Sequence, residues 1–103
     1  MDWPVILAMY DQLAELNRSP VVALNRAVAV ARVHGPQRAL EEVDRLANAP
    51  ALKDYHFYLA VRGHLLLTLG RRTEAAECFR DALACHCSSP ERRFLARKLE
   101  ECR

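Results

Sequence analysis

The chain has 103 residues, enough for one continuous core and too few for two independent ones, and its 51% apolar and 27% charged residues exclude a disordered, fibrous or disulfide-dense class. The net charge of +2 arises from residue 71 onward, where eight basic residues meet six acidic ones, and so small an excess gives no reason to expect direct DNA binding. Apolar runs are short or broken by Asn25, Arg26 and Arg32, and Met1-Asp2-Trp3-Pro4 lacks the basic and apolar stretches of a secretory signal, so no membrane span and a cytoplasmic location are expected.

In chain order, breakers fall at Ser19-Pro20, Gly35-Pro36, Asn48 to Pro50, Gly70 and Ser88-Ser89-Pro90. Between them the helical period predicts about six helices, at 4–17, 20–34, 37–48, 55–69, 72–86 and 90–102, and no strand. Ile6, Met9, Tyr10, Leu13 and Leu16 form the stripe the first helix is expected to bury; Ala75, Ala76, Phe79, Ala82 and Leu83 do so in the fifth. The second and fourth helices are apolar over more of their circumference, as suits helices packed between neighbours. Short connections predict that successive helices run antiparallel.

A shift of 36 residues superimposes Arg26 on Arg62, Ala27 on Gly63, Ala39 on Ala75, Val43 on Phe79 and Leu46 on Ala82. Small residues at 27 and 63 allow two helices to approach closely, and Val43 and Phe79 supply the bulk that fills the space beside them. The segment from Leu59 to Ala82, with Gly63, Gly70, Ala75, Phe79 and Ala82, resembles the tetratricopeptide (TPR) repeat family. It departs from the pattern in carrying Leu59 and Leu66 where that family has tryptophan and tyrosine, and in a late repeat-ending proline, Pro90. The resemblance implies an all-α fold of antiparallel TPR-type hairpins in a right-handed superhelical stack. The whole of 1–103 is then one domain: an N-terminal capping helix at 4–17, repeats at 20–50 and 55–87, and a C-terminal capping helix at 90–102.

A narrower resemblance rests on Ser19-Pro20-Val21-Val22-Ala23-Leu24-Asn25-Arg26-Ala27-Val28-Ala29, preceded by Asp2-Trp3-Pro4 and Tyr10-Asp11-Gln12-Leu13. With Leu69-Gly70-Arg71, Glu74-Ala75-Ala76 and Glu91-Arg92-Arg93-Phe94-Leu95, these strings resemble the C-terminal extension of one group of bacterial extracytoplasmic-function (ECF) sigma factors. The regions that bind polymerase and read promoters precede that extension in the family and are absent here, so Met1 is read as the edge of a fragment or of a truncated reading frame. The resemblance implies a regulatory or structural role in transcription initiation. The expected partners are the sigma core regions of the same full-length protein and the RNA polymerase core, without direct DNA contact. The alternative is a free-standing TPR adaptor that binds a peptide or self-associates, and a homodimer through the first helix around Trp3, Ile6 and Tyr10 is one form of it.

Asn25 and Arg26 are polar positions in an apolar helix and need partners; an internal network, for example with Glu41, Glu42 or Asp44, stands beside a groove that binds a peptide or the sigma core as the two readings. Arg62 repeats Arg26, and a basic ladder on one side of the superhelix is expected from the pair. Phe57, Ala60, His64, Leu67 and Thr68 hold the positions that line the concave face in TPR proteins, which makes Phe57 and His64 candidate contacts or, equally, packing residues. Cys78, Cys85, His86, Cys87 and Cys102 lack metal-chelating spacing and are read as free thiols, so no metal or cofactor is expected. The arginines and lysine of the last helix, Arg92, Arg93, Arg97 and Lys98, suit its solvent face and dipole. With no phosphate loop, paired metal histidines or nucleophile turn, no enzyme is expected.

Overall fold

Capping side chains and prolines set four of the helix starts. The computed structural model describes residues 2–52, 55–85 and 88–103, and among them the fold is all-helical, with six α-helices, a single 3-10 turn and no strand. The helices are α1 (Trp3–Leu16), α2 (Pro20–His34), α3 (Pro36–Asp44), α4 (His56–Thr68), α5 (Arg72–Ala84) and α6 (Ser89–Glu101), with the 3-10 turn at Pro50–Leu52. Asp2 accepts a hydrogen bond from the Val5 amide, Ser19 accepts one from Val21, and Ser88 and Glu91 form a reciprocal capping box. Each cap satisfies an amide that the helix leaves without an internal partner. The expected fifth helix, 72–86, stops at Ala84, with Cys85 extended, and His86 and Cys87 of the thiol cluster lie outside the described residues.

The described residues fall into two compact units, Met1–Lys53 and Asp54–Arg103, and the division lies in the linker between the two expected repeats. In the first unit α2 packs against α1, α3 and the 3-10 turn. Its core is Leu7, Leu24, Ala27, Val30, Leu40, Val43 and Leu52. The chain reverses between α2 and α3 at Gly35, whose φ of 93° belongs to the region that side chains other than glycine's rarely adopt. In the second unit α5 packs against both α4 and α6 around Leu65, Leu66, Phe79 and Leu95. Here α4 closes with Gly70 at φ 81°, where the Arg71 amide reaches the Leu66 carbonyl at 2.9 Å and the Gly70 amide reaches Leu67 at 3.0 Å. That double bond satisfies carbonyls that the last helical turn leaves open.

Two expectations are corrected. The third helix does not reach residue 48: α3 ends at Asp44, because Leu46 and Ala47 donate to Val43 and Asp44, three residues back, and the α ladder tightens into turns. The first helix does not bury the expected stripe. Leu7 is its buried residue, Ile6 and Tyr10 are half-buried, and Met9, Leu13 and Leu16 are exposed. With Val5 they line the outer face of α1, because α2 is the element α1 packs on and it covers one side of that helix only.

Candidate functional site

Arg26 sits in the middle of α2 and reaches both neighbouring helices of its unit. Its Nε donates to Asp11 Oδ1 on α1 at 2.6 Å, and a terminal guanidinium nitrogen donates to Glu42 Oε2 on α3 at 2.7 Å. The side chain is half-buried; its bond to Glu42 is partly shielded from water and its bond to Asp11 is exposed. Hydrogen bonding to Asp11 raises the guanidinium above its ordinary value, with Glu42 adding to the effect and burial opposing it. One planar fork therefore ties three helices, a geometry a lysine ammonium does not supply. Of the partners expected for Arg26, Glu42 is the one it meets; Asp11, on the preceding helix, lay outside the sequence reasoning. Asn25, beside it on α2, is half-buried.

Arg62 occupies the matching place in the second unit. From α4, a terminal nitrogen of its guanidinium donates to the Cys78 sulfur on α5 at 3.0 Å. Arg26 meets residue 42 and Arg62 meets residue 78, so both arginines bond a residue 16 positions on, and 78 is 42 moved by the same 36 residues. Helix starts obey the register as well: Pro20 and His56 open α2 and α4, and Pro36 and Arg72 open α3 and α5. The partner position differs in chemistry, a carboxylate in one hairpin and a thiol in the other. Glu74, one turn earlier on α5, also feels the Arg62 charge, although its own hydrogen bonds from Arg71 are the main reason its carboxyl is held below the usual range. Arg26 and Arg62 are each engaged inside their own unit.

Phe57 and His64 share one face of α4 with Ala60, Leu67 and Thr68, and this face is half-exposed to exposed throughout. Phe57 leans on Tyr55 with ring centroids 5.9 Å apart, and Tyr55 meets the edge of His56 at 5.9 Å. His64 is exposed, and its carbonyl accepts the Thr68 hydroxyl at 2.9 Å. His56, which carried no expectation, pairs with Glu91 of α6 and joins the first turn of α4 to the capping box. Among the described residues no group of three or more His, Cys, Asp and Glu side chains converges as a metal site would require; Cys78 is buried, and Cys85 and Cys102 are half-buried.

The sequence also concealed the outer face of α1. Val5, Met9, Leu13 and Leu16 are spaced four, four and three apart, which keeps them on one side of a helix, and they are 52%, 64%, 42% and 87% exposed. Four aligned apolar side chains in water are a surface feature that isolated exposed residues are not. Periodicity had revealed most of the stripe and misread where it points.

No protein-family model matches the chain, and no solved structure matches it. An uncharacterized protein of Rhizobium meliloti (strain 1021) is 40% identical over 99 residues, which are 96% of this chain and 23% of that protein. The chain thus spans about a quarter of the length of the relative it matches. No helix among the described residues is long and apolar enough to cross a membrane.

Proposed function

We propose that the chain is a TPR-like regulatory extension of an ECF sigma factor, a binding domain and not an enzyme, acting in transcription initiation through the sigma core or RNA polymerase. The observation that carries the binding role is the repeated hairpin contact, Arg26 to Glu42 and Arg62 to Cys78 in one register. Helical repeats built this way spend their residues on presenting helix faces to a partner. The sigma-factor assignment rests on the strings around Ser19 to Ala29 and Glu91 to Leu95. The relative supports it to the extent that its matched stretch is one part of a much longer protein.

Within this reading the outer face of α1 is the contact surface, since an apolar stripe on a solvated helix suits a groove in a partner. Phe57 and His64 offer a second, more polar face, whereas Arg26 is occupied in holding its own unit. The test is a calorimetric titration of residues 1–103 with the sigma regions of the same gene, with Met9→Lys/Leu13→Lys and Arg26→Ala/Arg62→Ala as variants. Binding lost in the first variant, with the helical fold intact, supports the assignment. A failure to bind at about 1 mM sinks it, because a short linker supplies an effective concentration of that order and a weaker contact stays mostly open.

The exposed α1 stripe favours one alternative, a free-standing adaptor that self-associates through this helix. A molar mass that rises with concentration and returns to the monomer value in Met9→Lys/Leu13→Lys, together with a gene that lacks sigma regions, decides for the adaptor.

A further inference from the structure

Between α5 and α6 the second unit opens into a cleft of about 340 Å³ whose rim is basic and whose floor is not. Arg72, Arg80 and Arg103 stand at the rim, and Ala76, Leu99 and Cys102 line the bottom. This is a different face of α5 from the one turned toward α4, where Ala75, Cys78, Phe79 and Ala82 are buried. Arg80 has no carboxylate partner among the described residues, and Arg72 donates to a backbone oxygen of Arg103 at 3.4 Å. Of the acidic side chains nearby, Glu74 is held by Arg71 and Glu101 by Lys98, Glu100 pairs with Arg103 of the rim, and Glu77 and Asp81 lie exposed on α5. Arg80 and Arg72 both act on the Cys102 thiol, which puts their charges over the cleft floor.

We infer that this cleft is a docking site for an acidic, extended peptide segment of a protein partner, with two carboxylates astride an apolar residue. The spacing argues for a peptide over a small anion. Arg72 and Arg80 are eight residues apart on one helix, about 12 Å along its axis at 1.5 Å per residue, a separation that one phosphate does not bridge without bending both side chains toward each other. In an extended chain, residues four apart are about 13 Å apart at 3.3 Å per residue. Two glutamates at that spacing reach the two guanidinium groups together, and the side chain midway between them lies over Ala76 and Leu99. The first turn of α5, with Thr73 on the cleft lining, adds the partial positive charge of a helix start to the Arg72 end. Arginine suits this task because its fork accepts a carboxylate through two parallel bonds.

The test is fluorescence anisotropy with labelled serine-rich peptides that carry one leucine between two glutamates, the glutamates set two to eight residues apart. The strongest binding is expected at a spacing of four. Arg72→Ala and Arg80→Ala are each expected to weaken it about fivefold and the double variant about 25-fold, while circular dichroism shows the fold unchanged, since both side chains are exposed. Inorganic phosphate at about 10 mM is expected to displace no more peptide than sodium chloride of equal ionic strength. Affinity that ignores the spacing, displacement by phosphate, indifference to both substitutions, or no binding at about 1 mM peptide each overturns the assignment.

Discussion

The backbone of Gly63 passes so close to Phe79 that a Cβ at residue 63 stands 2.9 Å from two carbons of the ring and 3.2 Å from the Cys78 Cβ. Phe79 is fully buried, so its ring has nowhere to retreat. Helix propensity alone favours Gly63→Ala by about 1 kcal/mol, and a forced shift of a packed ring costs about 1–3 kcal/mol. The clash wins: Gly63→Ala is expected to lower the melting temperature by several degrees. In a Phe79→Val background, which copies the Ala27 and Val43 pairing of the first hairpin, the same substitution is expected to be neutral or stabilising. A double-mutant cycle by thermal denaturation measures the coupling.

Arg26 is expected to matter for stability before it matters for binding. Its two ion pairs are partly solvated, which limits each to about 1 kcal/mol or less, but removing it strands Glu42 in a partly buried position. Arg26→Ala is expected to cost about 1–2 kcal/mol in urea denaturation. Arg26→Lys is expected to recover less than half, because a point charge does not serve Asp11 and Glu42 at once. Equal stability of the lysine variant and the wild type rejects the three-helix tie.

Two leucines of α1 separate its inner and outer faces. Leu7 is 8% exposed and Leu16 is 87% exposed. Leu7→Ala is expected to cost about 2–4 kcal/mol, and Leu16→Ala to stay within about 0.5 kcal/mol. Comparable losses at both positions mean that the stripe is covered in solution.

The capping box of α6 sets an acid limit. Hydrogen bonds from Ser88, side chain first and then backbone, hold the Glu91 carboxyl below its ordinary value of 4.5, and His56 adds to this. The unfolded chain therefore takes up the proton first as pH falls. The stability Glu91 contributes is complete above pH 4.5 and is lost as pH drops through the lower folded value. Glu91→Gln is expected to flatten the decline in stability below that pH and to leave the neutral range with a smaller, pH-independent deficit. An unchanged acid slope counts against the box.

Thiol chemistry is expected to be graded. Cys78 is 4% exposed beneath Arg62 and is expected to resist alkylation until the unit unfolds. Burial pushes the Cys102 thiol above its ordinary value, with Glu101 adding to the shift, so its thiolate fraction at a given pH is below that of a free cysteine. Its iodoacetamide rate, resolved by peptide mass spectrometry, is expected to climb at higher pH than that of a model thiol. Rapid labelling of Cys102 at neutral pH rejects the shift.

Local chemistry determined much of this protein in advance. Proline and serine placed the starts of α1, α2, α3 and α6, and Gly35 and Gly70 the turns that follow α2 and α4, within a residue or two, since caps and left-handed turns depend on neighbours in the chain. The 36-residue register was visible in Arg26 and Arg62, Ala27 and Gly63, Val43 and Phe79, because a repeated packing geometry demands repeated sizes. What the sequence left open depended on elements distant along the chain. Periodicity showed that α1 has an apolar stripe and was silent on which part of it α2 would cover, so Met9, Leu13 and Leu16 were assigned to the wrong environment. Asp11 is 15 residues from Arg26, on another helix, and only the packing of α1 on α2 brought the two together. Arg72 and Arg80 carried no expectation, and only the packing of α6 beside α5 placed them over an apolar floor. A helix's period fixes which residues share a face; its neighbours decide whether that face meets a core, a partner or water.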